Sequence, residues 1–459
     1  MRKMELERPN PADHMLLFKK KLWITEYSTR MQRMLRGERL PPLRIDAEPH
    51  RRCTFRCLHC SRSLSDYAEE PHENEIPEER WYELARESGE MGVKAWNIAG
   101  ICEPMLKPDM VLKLMGFIKQ YGMFGELTTN GYFWKEEHIQ QTIDMGWDCI
   151  SVSIDGPDKA THEALRRVPS SFRRACRTVK RFADLRRRLK THKPTITINQ
   201  VLTRHNYNLL PEMVKLASQL GADVLFVEPM VVYSEDQRNH VVVTREQRRD
   251  LKEAVDEALK LAEKKNLYAF ISCLDGDDEE KEFNPELAEK GGAMRDTIQK
   301  GTCQQVQRYR EGKTGEGNRD LVSQVMGIPC YYPWFYLMVT AEGNAVHCGE
   351  CTEFAGNIRE SSLEDLWWGQ RLQRYRELHM RGELPASCDK CRPNVIGDMK
   401  LVRKSIFEYG NLGDVQKKLA AMTEHALNLK HSLYYSQRRL GLGLFKRSGG
   451  AAGKKILDV

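Results

Sequence analysis

The chain has 459 residues, enough for about two or three domains at roughly 150 residues each. Hydrophobic residues make up 41% and charged ones 30%, a balance that builds a soluble core and leaves no run of about 20 apolar residues to span a bilayer. The net charge of +7 comes without interleaved aromatics or a recognisable binding module, which argues against nucleic acid as a partner.

The opening residues, MRKMELERPNPADHMLL, have neither the apolar stretch nor the small-residue cleavage site of a secretory signal, so the expected compartment is the cytoplasm. Residues 12–37 read as an amphipathic helix with Leu16, Leu17, Leu22, Trp23, Tyr27, Met31 and Met34 as its apolar stripe, ended by Pro41 and Pro42. Strand-like and helical runs then alternate. Strands are expected at 43–47, 95–99, 126–128, 149–154, 195–202 and 224–227, and helices near 78–91, 108–121, 135–145, 159–190 and 208–220. Regular strand–helix alternation argues for a parallel sheet covered by helices. Six such units make an open, partial barrel rather than a closed eightfold one.

The densest basic run, Arg173 to Lys193, has Phe172, Ala175, Val179, Phe182, Leu185 and Leu189 at helical spacing. It reads as a helix with a solvated basic face, with a docking surface for an acidic electron carrier as the sharper alternative. Beyond 235 the pattern changes: a long helix over 244–265, a short strand over 267–273, a polar stretch to 325, a cysteine-bearing segment over 328–395, helices over 399–435 and a basic tail. The implied organisation is a helical extension (1–42), the barrel (43–235), a linker helix and polar insertion (236–327), an auxiliary domain (328–395) and C-terminal helices with a tail (396–459).

Thirteen cysteines are the informative number, because clustered cysteines in a reducing cytosol bind metal more often than they form disulfides. Cys149, Cys176, Cys273 and Cys303 stand alone and read as small packing residues. Cys53, Cys57 and Cys60 have C-x3-C-x2-C spacing just after the first predicted strand, so one loop can gather three thiolates around an iron–sulfur cluster. Three ligands leave one iron open, and open coordination marks a catalytic metal. The competing reading is zinc, with His59 or Cys102 as fourth ligand; its usual paired C-x2-C knuckles are missing here.

With that loop the chain resembles the radical S-adenosylmethionine (SAM) superfamily, whose open iron holds the amino and carboxylate groups of SAM and whose one-electron cleavage of SAM yields a 5′-deoxyadenosyl radical. The resemblance covers about residues 43–235. Ala99-Gly100-Ile101-Cys102-Glu103-Pro104 is similar to the G-x-G-E-P segment that positions the SAM amino group, with Cys102 in place of the second glycine. Cys102 reads either as packing or as a hydrogen-atom donor. Thr128-Thr129-Asn130-Gly131 matches the family's TNG turn. By the same resemblance Ser153 and Asp155 face the ribose or substrate, Arg166 pairs with the SAM carboxylate, Asn199 lies near the ribose and Met230 borders the adenine or the cavity. These positions fall at the C-terminal ends of predicted strands, where open α/β sheets bind ligands.

Cys330, a Gly-Asn turn at Gly343-Asn344 and Cys348 read as a β-hairpin with a cysteine at each end. With Gly356-Asn357-Ile358, Ser362 to Trp367, and the closing Cys388-x2-Cys391, the segment resembles the SPASM domain or its shortened twitch form. That resemblance implies one auxiliary 4Fe-4S cluster on Cys330, Cys348, Cys388 and Cys391, with Cys351 able to replace one of them. Structural zinc on Cys348, Cys351, Cys388 and Cys391 is the alternative. The implied enzyme takes its electron from a partner such as ferredoxin or flavodoxin and oxidises its substrate with the auxiliary cluster's help. The 42 residues before the first strand are short for a leader-binding domain, which tilts the reading to a small molecule. A peptide-modifying maturase and a non-enzymatic, zinc-stabilised binding protein are the alternatives.

Overall fold

The computed structural model describes residues 30–64 except 32, 72–271, 327–349 and 353–385, with 325, 388 and 399 as isolated positions. Cys351 and Cys391, most of the 12–37 helix, the polar stretch and the C-terminal helices lie outside the described residues.

The six expected strands are present: β1 (Arg44–Ala47), β2 (Ala95–Ile98), β3 (Phe124–Thr129), β4 (Cys149–Ser153), β5 (Thr195–Leu202) and β6 (Val224–Pro229). They pair in parallel in sequence order. The sheet then extends at both ends. β7 (Tyr268–Ile271), from the segment read as a linker, adds in parallel to β6. β8 (Tyr336–Val339), from the cysteine-bearing segment, adds in parallel to β1, and β9 (Asn344–Val346) and β10 (Gly356–Asn357) follow it antiparallel. The result is one ten-stranded sheet in the order β10-β9-β8-β1-β2-β3-β4-β5-β6-β7. The auxiliary segment therefore continues the barrel sheet instead of forming a separate layer.

The connecting helices are α1 (Glu78–Met91), α2 (Pro108–Gln120), α3 (Glu136–Asp144), α4 (Lys159–Arg166), α5 (Ser171–Arg188), α6 (Leu210–Leu220), α7 (Glu235–His240) and α8 (Arg248–Lys265). Beyond the strands of the auxiliary segment lie α9 (Leu363–Trp368) and α10 (Gln370–Met380). The single helix expected over 159–190 is two. Pro169 lacks an amide hydrogen and disfavours helical backbone at Val168, and the chain turns through left-handed conformations at Arg167 (φ 57) and Ser170 (φ 63) before α5 begins.

Strand alternation gives the sheet two unlike faces. One carries Ile45, Trp96, Ile98, Leu127, Ile150, Val152, Ile196, Ile198, Leu225, Leu337 and Val339, all buried under the helices in the main core. The other carries, in register across the strands, Asp46, Asn97, Glu126 and Cys149, then Ser151 and Thr197, then Ser153 and Asn199. A polar inner face opposite an apolar outer one is what a partial barrel needs to hold a polar ligand. A second small core joins Met31 to Leu43, Tyr331, Trp334 and Phe335, so the end of the N-terminal helix packs on the start of the auxiliary segment.

Candidate active site

β1 leads straight into the loop that carries Cys53, Cys57 and Cys60. Four neighbours fasten that loop. Leu58 donates its amide to the carbonyl of Leu165 on α4 at 2.9 Å, and Glu103 donates to the carbonyl of Arg52 at 2.8 Å. Gln237 on α7 donates from Nε2 to the carbonyls of Leu58 (3.0 Å) and Cys60 (3.4 Å). Phe55 sits edge-on to Tyr132, in the turn after β3. Gln237 and Tyr132 bear no motif, and sequence reasoning missed them.

The three cysteines form no disulfide, and each lies within electrostatic reach of the others. Burial pushes the free Cys57 thiol up to about 12, against the pull of the Arg166 guanidinium, whose Nη1 lies 3.8 Å from its Sγ. Among the described residues, no three His, Cys, Asp or Glu side chains are gathered tightly enough for a single metal ion. A cubane asks instead for one thiolate at each separate iron corner, and iron stabilises the thiolate form. His59 aims Nε2 at Asp155, 3.7 Å away.

The predicted SAM-contacting residues surround the same loop. Gly100 has φ +127, and a Cβ there would sit 2.7 Å from Glu48 Oε1, so this close turn requires glycine. Glu103 is buried, and its Oε1 accepts from Thr129 Oγ1 (2.7 Å) and the Met105 amide (3.0 Å), while its Oε2 accepts from the Asn130 amide (2.6 Å). Burial raises its carboxyl pKa against these three bonds. Most of its acceptor capacity thus shapes the turns after β2 and β3, leaving one lone pair on Oε2 for a ligand. Asn130 folds its Oδ1 back on the Tyr132 amide (2.9 Å), and its buried Nδ2 has no partner.

Asp155 is fully buried. Its Oδ2 accepts from Arg166 Nε at 2.5 Å and its Oδ1 from the Val201 amide at 2.9 Å. Asp155 is therefore held within the protein, and Arg166 links it to Cys57. The Arg166 charge keeps the Asp155 carboxyl below its usual range in spite of burial. Ser153 and Asn199 stand side by side in register, and Asn199 Oδ1 is buried with no partner. Met230 is buried just past β6. Cys102 lies beside Glu48, Glu103 and Cys53, and burial pushes its thiol up.

In the auxiliary segment, Cys330 precedes β8 and Cys348 follows β9, with the hairpin closing at Gly343 (φ 87) as expected. Because β8 runs parallel to β1 and β9 runs back, both cysteines belong to the N-terminal end of β1, and the trio loop to its C-terminal end. The hairpin turn is tied to the trio loop by an ion pair between Arg51 and Glu342 at 2.7 Å.

Residues 47–217 match the radical SAM superfamily, and residues 330–392 match the SPASM iron–sulfur cluster-binding domain. The chain is a radical SAM enzyme with a C-terminal SPASM domain. Solved structures carry the same fold. SuiB of Streptococcus suis bound to S-adenosylmethionine is 16% identical over 74% of this chain and 69% of its own, with a TM-score of 0.52. The AdoMet-bound protein anSMEcpe is 17% identical over 84% of this chain and 100% of its own, also with a TM-score of 0.52. SuiB bound to its precursor peptide SuiA gives a TM-score of 0.50 at 18% identity, over 74% of this chain and 68% of its own.

The residues present fit the groups this family uses. Three free thiols on one loop leave one corner of a 4Fe-4S cluster without a protein ligand. An open donor at Asn130 Nδ2 and an open acceptor at Asn199 Oδ1 suit a ligand that carries both complements, as SAM does. Among the described residues, no helix is long and apolar enough to cross a membrane.

Proposed function

We propose that this radical SAM enzyme oxidises a compact polar substrate lodged over the inner face of its sheet, with one auxiliary 4Fe-4S cluster taking part. The observation that carries this reading is the two-faced sheet. The polar, buried inner row begins directly beneath the loop of Cys53, Cys57 and Cys60 and runs toward the strand ends next to Cys330 and Cys348. When bound, SAM and the two clusters supply one-electron chemistry: reductive cleavage to a 5′-deoxyadenosyl radical at the first cluster, and electron uptake from the substrate at the second.

The chain's own residues do the rest. Cys53, Cys57 and Cys60 hold the first cluster, and Cys330, Cys348, Cys388 and Cys391 the second, with Cys351 as the substitute. Gly100 lets the backbone approach SAM. Glu103 holds the turns around the SAM amino group and offers it the remaining lone pair on Oε2. Asn130, Ser153 and Asn199 meet its polar edges and Met230 its adenine. Arg166, oriented by Asp155, places a positive charge beside Cys57 where a SAM carboxylate is to bind. Cys102, next to Cys53, packs against the cluster loop in this oxidation; a hydrogen atom returned by its thiol would instead make the outcome redox-neutral. The electron comes from a ferredoxin- or flavodoxin-type donor, and an oxygen-sensitive open iron fits the cytoplasm.

A peptide substrate is the second reading, favoured by the SuiB fold having been captured with SuiA. The test common to both is direct. Anaerobically reconstituted protein holding about eight irons, given dithionite and SAM, produces 5′-deoxyadenosine. Cys57→Ala abolishes that product and removes about half the iron. A Cys57→Ala protein that still cleaves SAM overturns the assignment.

A further inference from the structure

The inner face carries a charged row that the SAM-binding residues do not use. On β1, Arg44 faces Asp46 with two prongs, Nε to Oδ1 at 2.5 Å and Nη2 to Oδ2 at 3.2 Å. Asp46 Oδ2 also accepts from Tyr336 Oη on β8 (3.1 Å) and from Asn97 Nδ2 on β2 (3.3 Å). Asn97 lies in register with Asp46 on one side and with Glu126 of β3 on the other. Tyr336 Oη and Asn97 Nδ2 both turn toward Asp46, and the Arg44 guanidinium paired with Asp46 also lies within electrostatic reach of Glu126, so the row holds one cation against two carboxylates. Asn97 is 7% exposed and Glu126 5%. Asn97 Oδ1 and Glu126 Oε2 are buried, adjacent and without any hydrogen-bond partner.

A buried carboxylate oxygen and a buried amide oxygen left open side by side are costly unless a donor arrives. Their complement carries hydrogens only, and positive charge. Glu126 lies three residues before Thr129, whose hydroxyl holds Glu103, so the pair sits roughly 10 Å down the strand from the SAM-binding turn. A substrate anchored there would extend along the inner face toward that turn.

We infer that Glu126 and Asn97 form a substrate subsite for an ammonium group, anchoring an amine-bearing substrate beneath SAM. The inference rests on the radical SAM reading above and narrows its substrate class. The amine can belong to a small molecule or to a peptide side chain, and the test separates the two.

Reconstituted holoenzyme with SAM and dithionite is incubated with perdeuterated cyclohexylamine or perdeuterated Nα-acetyl-lysinamide, each alongside its neutral N-acetylated form. The carbon–deuterium bond breaks homolytically and the deuterium passes to the 5′ carbon. The substrate radical then loses one electron to the auxiliary cluster and one deuteron to solvent, leaving the unsaturated product. Mass spectrometry then reads singly deuterated 5′-deoxyadenosine.

Transfer from the charged form should exceed transfer from its neutral partner by about tenfold, the scale of one charge-assisted hydrogen bond. The better of the two amines identifies the source. In Glu126→Gln that ratio should fall toward one, and Glu126→Asp, which keeps the charge, should retain more of it. The inference is overturned by equal transfer from charged and neutral forms, by an unchanged ratio in Glu126→Gln, or by unlabelled 5′-deoxyadenosine accumulating with every probe. No 5′-deoxyadenosine at all sinks the radical reading itself, and this inference with it.

Discussion

Glu48 follows β1 and is 3% exposed, its carboxylate accepting the Ile101 amide at 2.7 Å. Burial raises its pKa from 4.5 to about 7, with Arg51 opposing the shift and Glu342 adding to it. A carboxyl raised on folding contributes stability that is complete below its unfolded pKa and is lost as pH climbs through its folded one. Between pH 5 and 8 the protein should therefore lose up to about 3 kcal/mol that Glu48→Gln does not lose. Melting curves of the anaerobic holoproteins across that range check this, and parallel curves for the two would refute it. The placement of the cysteine trio, Gly100 and Asn130 on loops at strand ends follows their spaced motifs, and Asn199 lies within β5. Glu48, Asn97 and Glu126 belong to no such motif. Their roles come from which strands lie side by side, and a polar residue in a short strand carries no mark of its register.

The basic helix shows a similar limit for a whole element. Most of its apolar stripe was legible: Ala175, Val179, Phe182 and Leu185 are buried in α5, whereas Phe172 is half-buried and Leu189, just past the helix end, is exposed. The break before it was also written in the sequence, at Pro169, but helical periodicity on both sides masks a change of direction. Arg186, counted among the solvated basic residues, is drawn inward to pair with Asp223, which also accepts the Ile196 amide at 2.9 Å. The two side chains are 12% and 11% exposed, whereas Arg187 is 70% exposed. Arg186→Ala leaves Asp223 buried without its cation and should cost about 3 kcal/mol. Arg187→Ala should cost less than about 0.5 kcal/mol. Equal melting temperatures for the two variants would show that α5 is not bolted to the sheet in this way.

At the level of the whole molecule, strand–helix alternation announced a parallel sheet, and the Gly-Asn turn announced the hairpin. Their union was hidden, because the parallel pairing of β8 with β1 joins residues almost 300 positions apart. No local pattern encodes so distant a partner. One result is that the barrel cannot be freed of its SPASM segment. A chain stopped after residue 271 loses the strand beside β1, the Arg51–Glu342 pair and the bond from Leu43 to Phe335. It should be insoluble or fail to incorporate its N-terminal cluster. Cys348→Ser, which leaves the hairpin backbone in place, should stay folded and keep that cluster. Iron analysis and circular dichroism on both proteins distinguish them.

The β1–β8 ladder also acts as a ruler. Each of the two strands has four residues, about 13 Å of rise, with one cysteine group beyond each end. The ladder thereby sets the separation of the two strand ends from which the Cys53 loop and the Cys330 segment spring. A residue inserted in either strand would turn its side chains to the wrong face and slide one cysteine group relative to the other. Lengthening β1 or β8 would therefore disturb both cysteine groups at once, whereas lengthening the hairpin turn would leave the ladder between them intact.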